Sequence, residues 1–452
     1  MAAKEEPGLE QNSQGPASGS APPGWPILAA VAVTVGLTSG LGGMALGLLL
    51  RLVQHVAYGF HSGQNFLEGV TAASDLRRVL ALCICGAVAG VGWFLLYRYG
   101  KRLVSIENAV QDRGARMPFP ETLTHVILQI VTVALGSPLG REVAPRELGA
   151  AMAQRLSERT NLGPDYSRIM IACGAGAGLA AVYNVPLGGA LFTLEGLLQT
   201  LSLPALIPAL ATSVIAAVVA WLGLGNEAQY KIPALSFSSP SLIVWSIAMG
   251  PVFGFAAYWF VRATKAARSK ARKDWHLLAW CAWVFPAIGL LAVRFPQLLG
   301  NGKALAQAGF ENDINLSLGT ILLLLKMVVI LGALRAGATG GLLTPALSIG
   351  GLLGIILGSF WSHAWSAGPL PAFAIVGSAA FLASSMKMPL TAIVLVFEFT
   401  RVGHDFLVPV LLAVTGSIAI SRLCAQRAVW PIWKRVEMPE HAPAAHLTGT
   451  LD

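Results

Sequence analysis

Three features of this 452-residue sequence predict an all-α, polytopic membrane protein built from two related halves. The chain is 55% hydrophobic and 12% charged, with a mean hydropathy of +0.65. Long uncharged runs recur along it, and two stretches in its first half are echoed in its second. Soluble domains carry about 25% charged residues, so composition alone places most of this chain in lipid.

Residues 1–24, MAAKEEPGLEQNSQGPASGSAPPG, are polar and rich in Pro, Gly and Ser, and read as a disordered tail. No basic n-region leads a short apolar core to a cleavage site, so this is not a signal peptide. Residues 25–436 read as a transmembrane domain, with a first repeat over 25–224 and a second over 239–424. The uncharged stretches 27–50, 79–97, 169–194, 233–261, 277–293 and 406–421 suffice, or nearly so, to cross ~30 Å of hydrocarbon at ~1.5 Å per residue. Segments 119–135, 143–155 and 343–362 are broken by Pro, Gly or charge. They are expected as tilted or half-membrane helices, whose open ends must be satisfied by protein or water. The apolar spans 205–223 and 406–421 are ordinary lipid- or subunit-facing surface. Residues 437–452 are a second plain tail, and the about thirty residues after the last span leave no room for a folded regulatory domain.

The net charge of +9 is read through topology rather than nucleic acid. Arg262, Lys265, Arg268, Lys270, Arg272 and Lys273 crowd one short loop, and such loops face the cytoplasm. Arg98, Lys101, Arg102, Arg113 and Arg116 form a second basic stretch, and Arg422, Arg427, Lys434 and Arg435 a third; Arg77 and Arg78 blur the rule. This assignment puts both termini inside. The five cysteines read as small buried hydrophobes, and the eight histidines have no metal-ligand spacing, so neither metal nor cofactor is expected.

GAGLAAVYNVPLGGALFTLEG at 176–196 parallels AAFLASSMKMPLTAIVLVFEF at 379–399, with Leu179 and Leu382, Pro186 and Pro389, and Glu195 and Glu398 all 203 positions apart. LGREVAP at 139–145 parallels TGGLLTP at 339–345, with Gly140 and Gly340, and Pro145 and Pro345, 200 apart. Matched order at nearly one offset points to two related halves with a binding site between them.

Each half thus places a glycine-rich turn before a helix. Helix N-termini carry unpaired N–H groups and roughly +0.5 of a charge, so several aimed at one point hold an anion without a fixed base. Gly140 shapes the first turn, Arg141 anchors it to backbone or phosphate, and Glu142 is a tethered anion mimic that competes when ionised and swings away when protonated. The other reading of Glu142 is a simple helix-start acid, worth about 0.3–1 kcal/mol.

GREVAP, GAGLAAVYNVPLGGALFTLE, GATGGLLTPALSIGGLLG and MKMPLTAIVLVFEFT, in this order, resemble the CLC family of chloride channels and chloride/proton antiporters across nearly all of 25–436. The resemblance implies inverted-topology halves, a homodimer with one anion pathway per subunit, and a gate at Glu142. It implies anion contacts at Gly140, Arg141, Val143 and the element Gly341, Leu342, Leu343, Thr344. Lys101 stands where the family's first anion element carries a hydroxyl, and Leu343 where it carries phenylalanine. Trp430 is the nearest match to an anion-binding tyrosine. Gly196 replaces the antiporters' inner proton glutamate, leaving Glu107 and Glu195 as candidates for a proton path. If YGKRLV opens a helix aimed at the midplane, Lys101 adds a full charge to the site; otherwise it snorkels to headgroups.

The function expected is transport of small inorganic anions, chloride above all, by a voltage-gated-type channel or loosely coupled conductor, with chloride/proton antiport as the alternative. Lipids, and protons in the second case, are the other partners. The expected location is a bacterial inner membrane. An enzyme is not expected, since no nucleophile–base pair, metal cluster or phosphate loop is present. A cation-coupled transporter would want more midplane acids.

Overall fold

The computed structural model describes residues 24–59, 66–112, 114–232, 239–365 and 368–427. The candidate Trp430, the basic residues Arg113, Lys434 and Arg435, and nearly all of both tails lie outside them. The described chain is helical, and its one extended pairing is a bridge between Gly140 and Gly341.

In the first half the helices are α1 (Trp25–Tyr58), α2 (Phe66–Ala72), α3 (Asp75–Tyr99), α4 (Ile106–Gln111), α5 (Phe119–Ala134), α6 (Val143–Arg159), α7 (Pro164–Tyr183), α8 (Pro186–Leu191, continued by a π-helical turn over Phe192–Leu198) and α9 (Leu203–Leu224). The second half has α10 (Pro240–Ser269), α11 (His276–Arg294), α12 (Lys303–Phe310), α13 (Leu316–Ala336), α14 (Leu343–Ala364), α15 (Leu370–Met386), α16 (Pro389–Thr400) and α17 (Leu407–Arg427). Eight of them, α1, α3, α9, α10, α11, α13, α14 and α17, are long and apolar enough to cross a membrane.

The apolar run at 169–194 is not one span. Asn184 takes the left-handed conformation, with φ 56°, and ends α7; α8 restarts at Pro186. The residue before a proline avoids helical geometry, and asparagine tolerates the left-handed region, so an Asn-Val-Pro sequence breaks a helix that hydropathy cannot see broken. Lys387, with φ 58°, ends α15 before Pro389 in the same way. Segment 343–362 differs in the opposite sense. Pro345 falls in the first turn, where its missing N–H costs nothing, so α14 runs unbroken for 22 residues.

The halves are inverted. Along α3 and α11, Gly90 lies beside Leu278, Gly86 beside Cys281 and Phe285, and Val79 beside Gly289, so these matching helices run antiparallel. In α8 and α16, Glu398 Oε1 and Oε2 accept the Leu187 and Gly188 N–H groups at 3.0 and 2.7 Å. Glu195 accepts Leu390 N–H at 3.1 Å, and Thr391 N–H and Oγ1–H both at 2.7 Å. Each half's glutamate therefore caps the proline-initiated helix of the other.

Within each half, small residues bring helix backbones together, as expected where lipid supplies no hydrophobic drive between helices. A Cβ on Gly149 of α6 would overlap the Gly174 carbonyl of α7, and one on Gly350 of α14 would meet Gly377 O of α15 at 2.6 Å.

Basic residues sort by face. The basic stretch 262–273 is not all loop, since α10 runs on to Ser269. Lys273 Nζ sits 5.3 Å from the centre of the Tyr97 ring, so the end of α10 with the turn after it and the end of α3 share one side. Arg77 and Arg78 open α3 at the other side. There Arg78 donates to Val70, Thr71 and Val293 carbonyls, satisfying the open ends of α2 and α11 rather than marking topology.

Candidate functional site

The turns before α6 and α14 meet back to back. Gly140 N–H donates to Gly341 O and Gly341 N–H to Gly140 O, both at 2.8 Å. This pairing fixes the N-termini of two helices, one per half, against a single point. A Cβ at either glycine would overlap the Glu142 carboxylate, so both positions must be bare for that side chain to lie between them.

Glu142 is the N-cap of α6 but makes no capping bond to its own first turn. Its carboxylate turns across instead: Oε1 accepts the Leu343 N–H at 2.6 Å, the first free donor of α14. Tyr183 Oη donates to Oε2 at 3.3 Å and lies 3.1 Å from Thr344 Oγ1. The residue is 1% exposed. A buried carboxylate needs charge-assisted donors and nearby positive charge. Arg146, one turn along α6, and Arg268 at the end of α10 both lie within electrostatic reach.

The other expected contacts divide. Leu343 and Thr344 are buried at the start of α14, and Val143 and Leu342 are half-buried beside the bridge. Leu343 serves the site through its backbone, which explains how leucine stands in for phenylalanine there. Arg141 does not anchor the turn to backbone: its guanidinium lies 5.1 Å from the Tyr183 ring centre, and its Nε has no hydrogen-bond partner. Lys101 is exposed and its N–H donates to Glu121 Oε1 at 3.2 Å. No helix opens at YGKRLV; α4 starts at Ile106, behind Ser105, whose hydroxyl accepts the Asn108 N–H. Glu107 is exposed in the first turn of α4. Glu195 is spent on capping α16.

Several residues of the site are not legible in the sequence. Tyr183 was signalled only by being the polar aromatic that ends the Gly/Ala-rich part of α7. Arg268 belongs to the basic loop that reads as a topology marker, yet its Nη2 donates to Gly340 O at 2.8 Å and so holds the second turn. Arg146 packs its guanidinium 4.1 Å from the Phe192 ring centre.

On the face away from the basic loops, a 930 Å³ vestibule leads to Arg141. Arg51, Arg141, Lys231 and Lys303 line it, with Glu68, Glu227, Glu311 and Asp313. Burial, reinforced by the Arg141, Arg51 and Lys231 charges, pushes Lys303 down to about 8.

Residues 85–422 match the family model described as voltage gated chloride channel. The chain is 27% identical to a voltage-gated ClC-type chloride channel, ClcB, of Citrobacter koseri, over 81% of this chain and 89% of that one. It is 26% identical to an H(+)/Cl(−) exchange transporter, ClcA, of Yersinia pseudotuberculosis, covering 89% and 86%. Among solved structures it resembles a slow cyanobacterial Cl−/H+ antiporter, with a TM-score of 0.77 at 19% identity over 89% of this chain and 96% of that one. A CLC-type fluoride/proton antiporter gives 0.71 at 24% identity, over 88% and 95%.

Proposed function

This chain belongs to the voltage gated chloride channel family, and on that premise we propose that it carries small inorganic anions, chloride first, as a loosely coupled conductor gated by Glu142. The observation that carries the reading is the Glu142 carboxylate itself, a tethered anion held by the Leu343 N–H and the Tyr183 hydroxyl between two helix N-termini. A chloride entering from the vestibule must take those donors. While Glu142 is ionised it competes for them; once protonated it loses its advantage and leaves the place to the anion. Arg141 lies on the vestibule side of this point, and Arg268 fixes the turn behind it.

The experiment is chloride flux from liposomes reconstituted with purified protein, across a range of pH. Glu142→Gln keeps the size and removes the charge, so flux loses most of its pH dependence. An unchanged pH profile in the variant overturns the gate.

The second reading is chloride/proton antiport, supported by the exchange activity named for the Yersinia relative and by the antiporter structures the fold resembles. Simultaneous chloride and pH electrodes separate the two. The working unit is a homodimer with one pathway per chain, set in a bacterial inner membrane with both termini cytoplasmic; the shared face of the basic stretches supports that orientation. The protein performs transport, with no enzymatic step.

A further inference from the structure

Between α5 and α6 lies a buried polar cluster that the anion site does not use. Thr122, His125, Gln129 and Thr132 occupy one face of α5 and are all buried. His125 Nδ1 lies 2.9 Å from Glu147 Oε2, and Gln129 Nε2 donates to the same oxygen at 2.9 Å. The Glu147 side chain is 15% exposed and that of His125 7%. Thr122 Oγ1, His125 Nε2, Gln129 Oε1 and the neighbouring Trp93 Nε1 are buried with no hydrogen-bond partner in the protein. Leaving a buried polar group unsatisfied costs about 1–3 kcal/mol. A lipid-embedded helix has no structural need for such a file.

The file has a direction. α5 begins at the basic face, where Glu121 takes the Lys101 N–H, and ends near Leu135, whose carbonyl accepts Tyr58 Oη at 2.7 Å on the opposite side. Glu147 lies five residues past Glu142 on α6, so ~7.5 Å further toward the basic face at ~1.5 Å per residue. The charged and titratable groups around it are His125 on α5, Tyr97 on α3, and Arg146 on its own helix; Arg146 is in turn within reach of Glu142 and of Glu107 on α4. Position 196 cannot serve the same purpose. Gly196 has no side chain, and Met388 Sδ and the Phe192 ring fill the space where one would start.

We propose that Glu147, oriented by His125 and Gln129, is the cytoplasmic-side proton acceptor of this transporter, on a different helix from Gly196. The inference rests on the chloride/proton antiport reading above and supplies its coupling route. A proton taken up at His125 Nε2 gives an imidazolium, whose Nδ1 proton passes to Glu147 Oε2; a neutral imidazole and a neutral carboxylic acid result. The ring is left as its Nε2–H tautomer and returns to the Nδ1–H form by proton exchange with water, one proton leaving Nε2 as another reaches Nδ1. Glu147 then yields its proton toward the Glu142 carboxylate, which releases the Leu343 N–H to an incoming anion. One proton moves from the cytoplasmic side toward Glu142 per cycle of this chain of N–H and O–H bonds.

The test reads chloride and pH together in weakly buffered liposomes carrying a chloride gradient. Wild type moves protons opposite to chloride. In Glu147→Gln the proton-to-chloride ratio falls at least ten-fold while chloride is still carried; Glu147→Asp, which keeps the acid, also carries chloride. The inference is overturned if Glu147→Gln keeps the wild-type ratio, if both variants lose chloride flux together as for a purely structural anchor, or if wild type carries chloride without protons. That last result leaves the anion-transport reading standing, whereas a wild type that carries no chloride removes the reading itself.

Discussion

Gly341 is the residue on which the gate depends most tightly, because a Cβ there would overlap Glu142 Oε1 and its carboxyl carbon. Gly341→Ala therefore forces either the carboxylate out or the first turn of α14 aside. The expected outcome is a flux and pH profile close to those of Glu142→Gln, read in the same liposome assay; a wild-type profile would mean the carboxylate does not rest against this turn. Lys303 supplies the alkaline counterpart. With its pKa at about 8 rather than the ordinary 10.5, its charge is present at neutral pH and lost as pH rises through that value. Losing it leaves three basic groups against the four carboxylates that line the vestibule, which weakens its attraction for anions. In a Glu142→Gln background, which silences the gate, initial flux should fall as external pH rises from about 7 to about 9.5. Lys303→Met should start low and show no such fall, and Lys303→Arg should hold its rate throughout. Equal profiles in all three would remove Lys303 from the entry path.

Among elements, α8 and α16 are the most informative pair, since each is initiated by a proline and capped by the other's glutamate. An N-terminal cap is worth about 1–2 kcal/mol, and charge-assisted bonds lie at the upper end. Glu195 makes three such bonds and Glu398 two. Glu195→Ala should accordingly lower the apparent melting temperature in detergent more than Glu398→Ala, with both below wild type. The reverse order would show that hydrogen-bond number does not set the cost. The same pair explains why an intramembrane acid need not be a proton carrier: both glutamates were visible as symmetric 203 residues apart, but only their placement opposite helix N-termini reveals what they neutralise.

At the scale of the whole molecule, the groups around Glu142 come from α6, α7 and α14 of one chain, so on the dimer reading each chain carries its own pathway. In a covalently linked dimer with one blocked pathway, about half the flux should remain. Complete loss would mean a pore shared between subunits.

The sequence by itself determined the membrane class, the two related halves and the turn that carries Glu142, because hydropathy, glycine placement and a fixed repeat offset are properties of order along the chain. It could not see that Asn184 breaks an apolar run while Pro345 leaves one intact, since that depends on where a proline falls relative to a helix start. It could not assign Lys101 and Arg268 correctly either. Both are basic residues in basic stretches, yet the fold leaves Lys101 exposed and turns Arg268 onto the Gly340 carbonyl. Tertiary structure alone decided which groups face Glu142 and Glu147. Inverted repeats bring together residues some two hundred positions apart, such as Glu142 and Leu343, and hydrogen bonding over 2.6 Å depends on that closure of space, about which linear order carries no information.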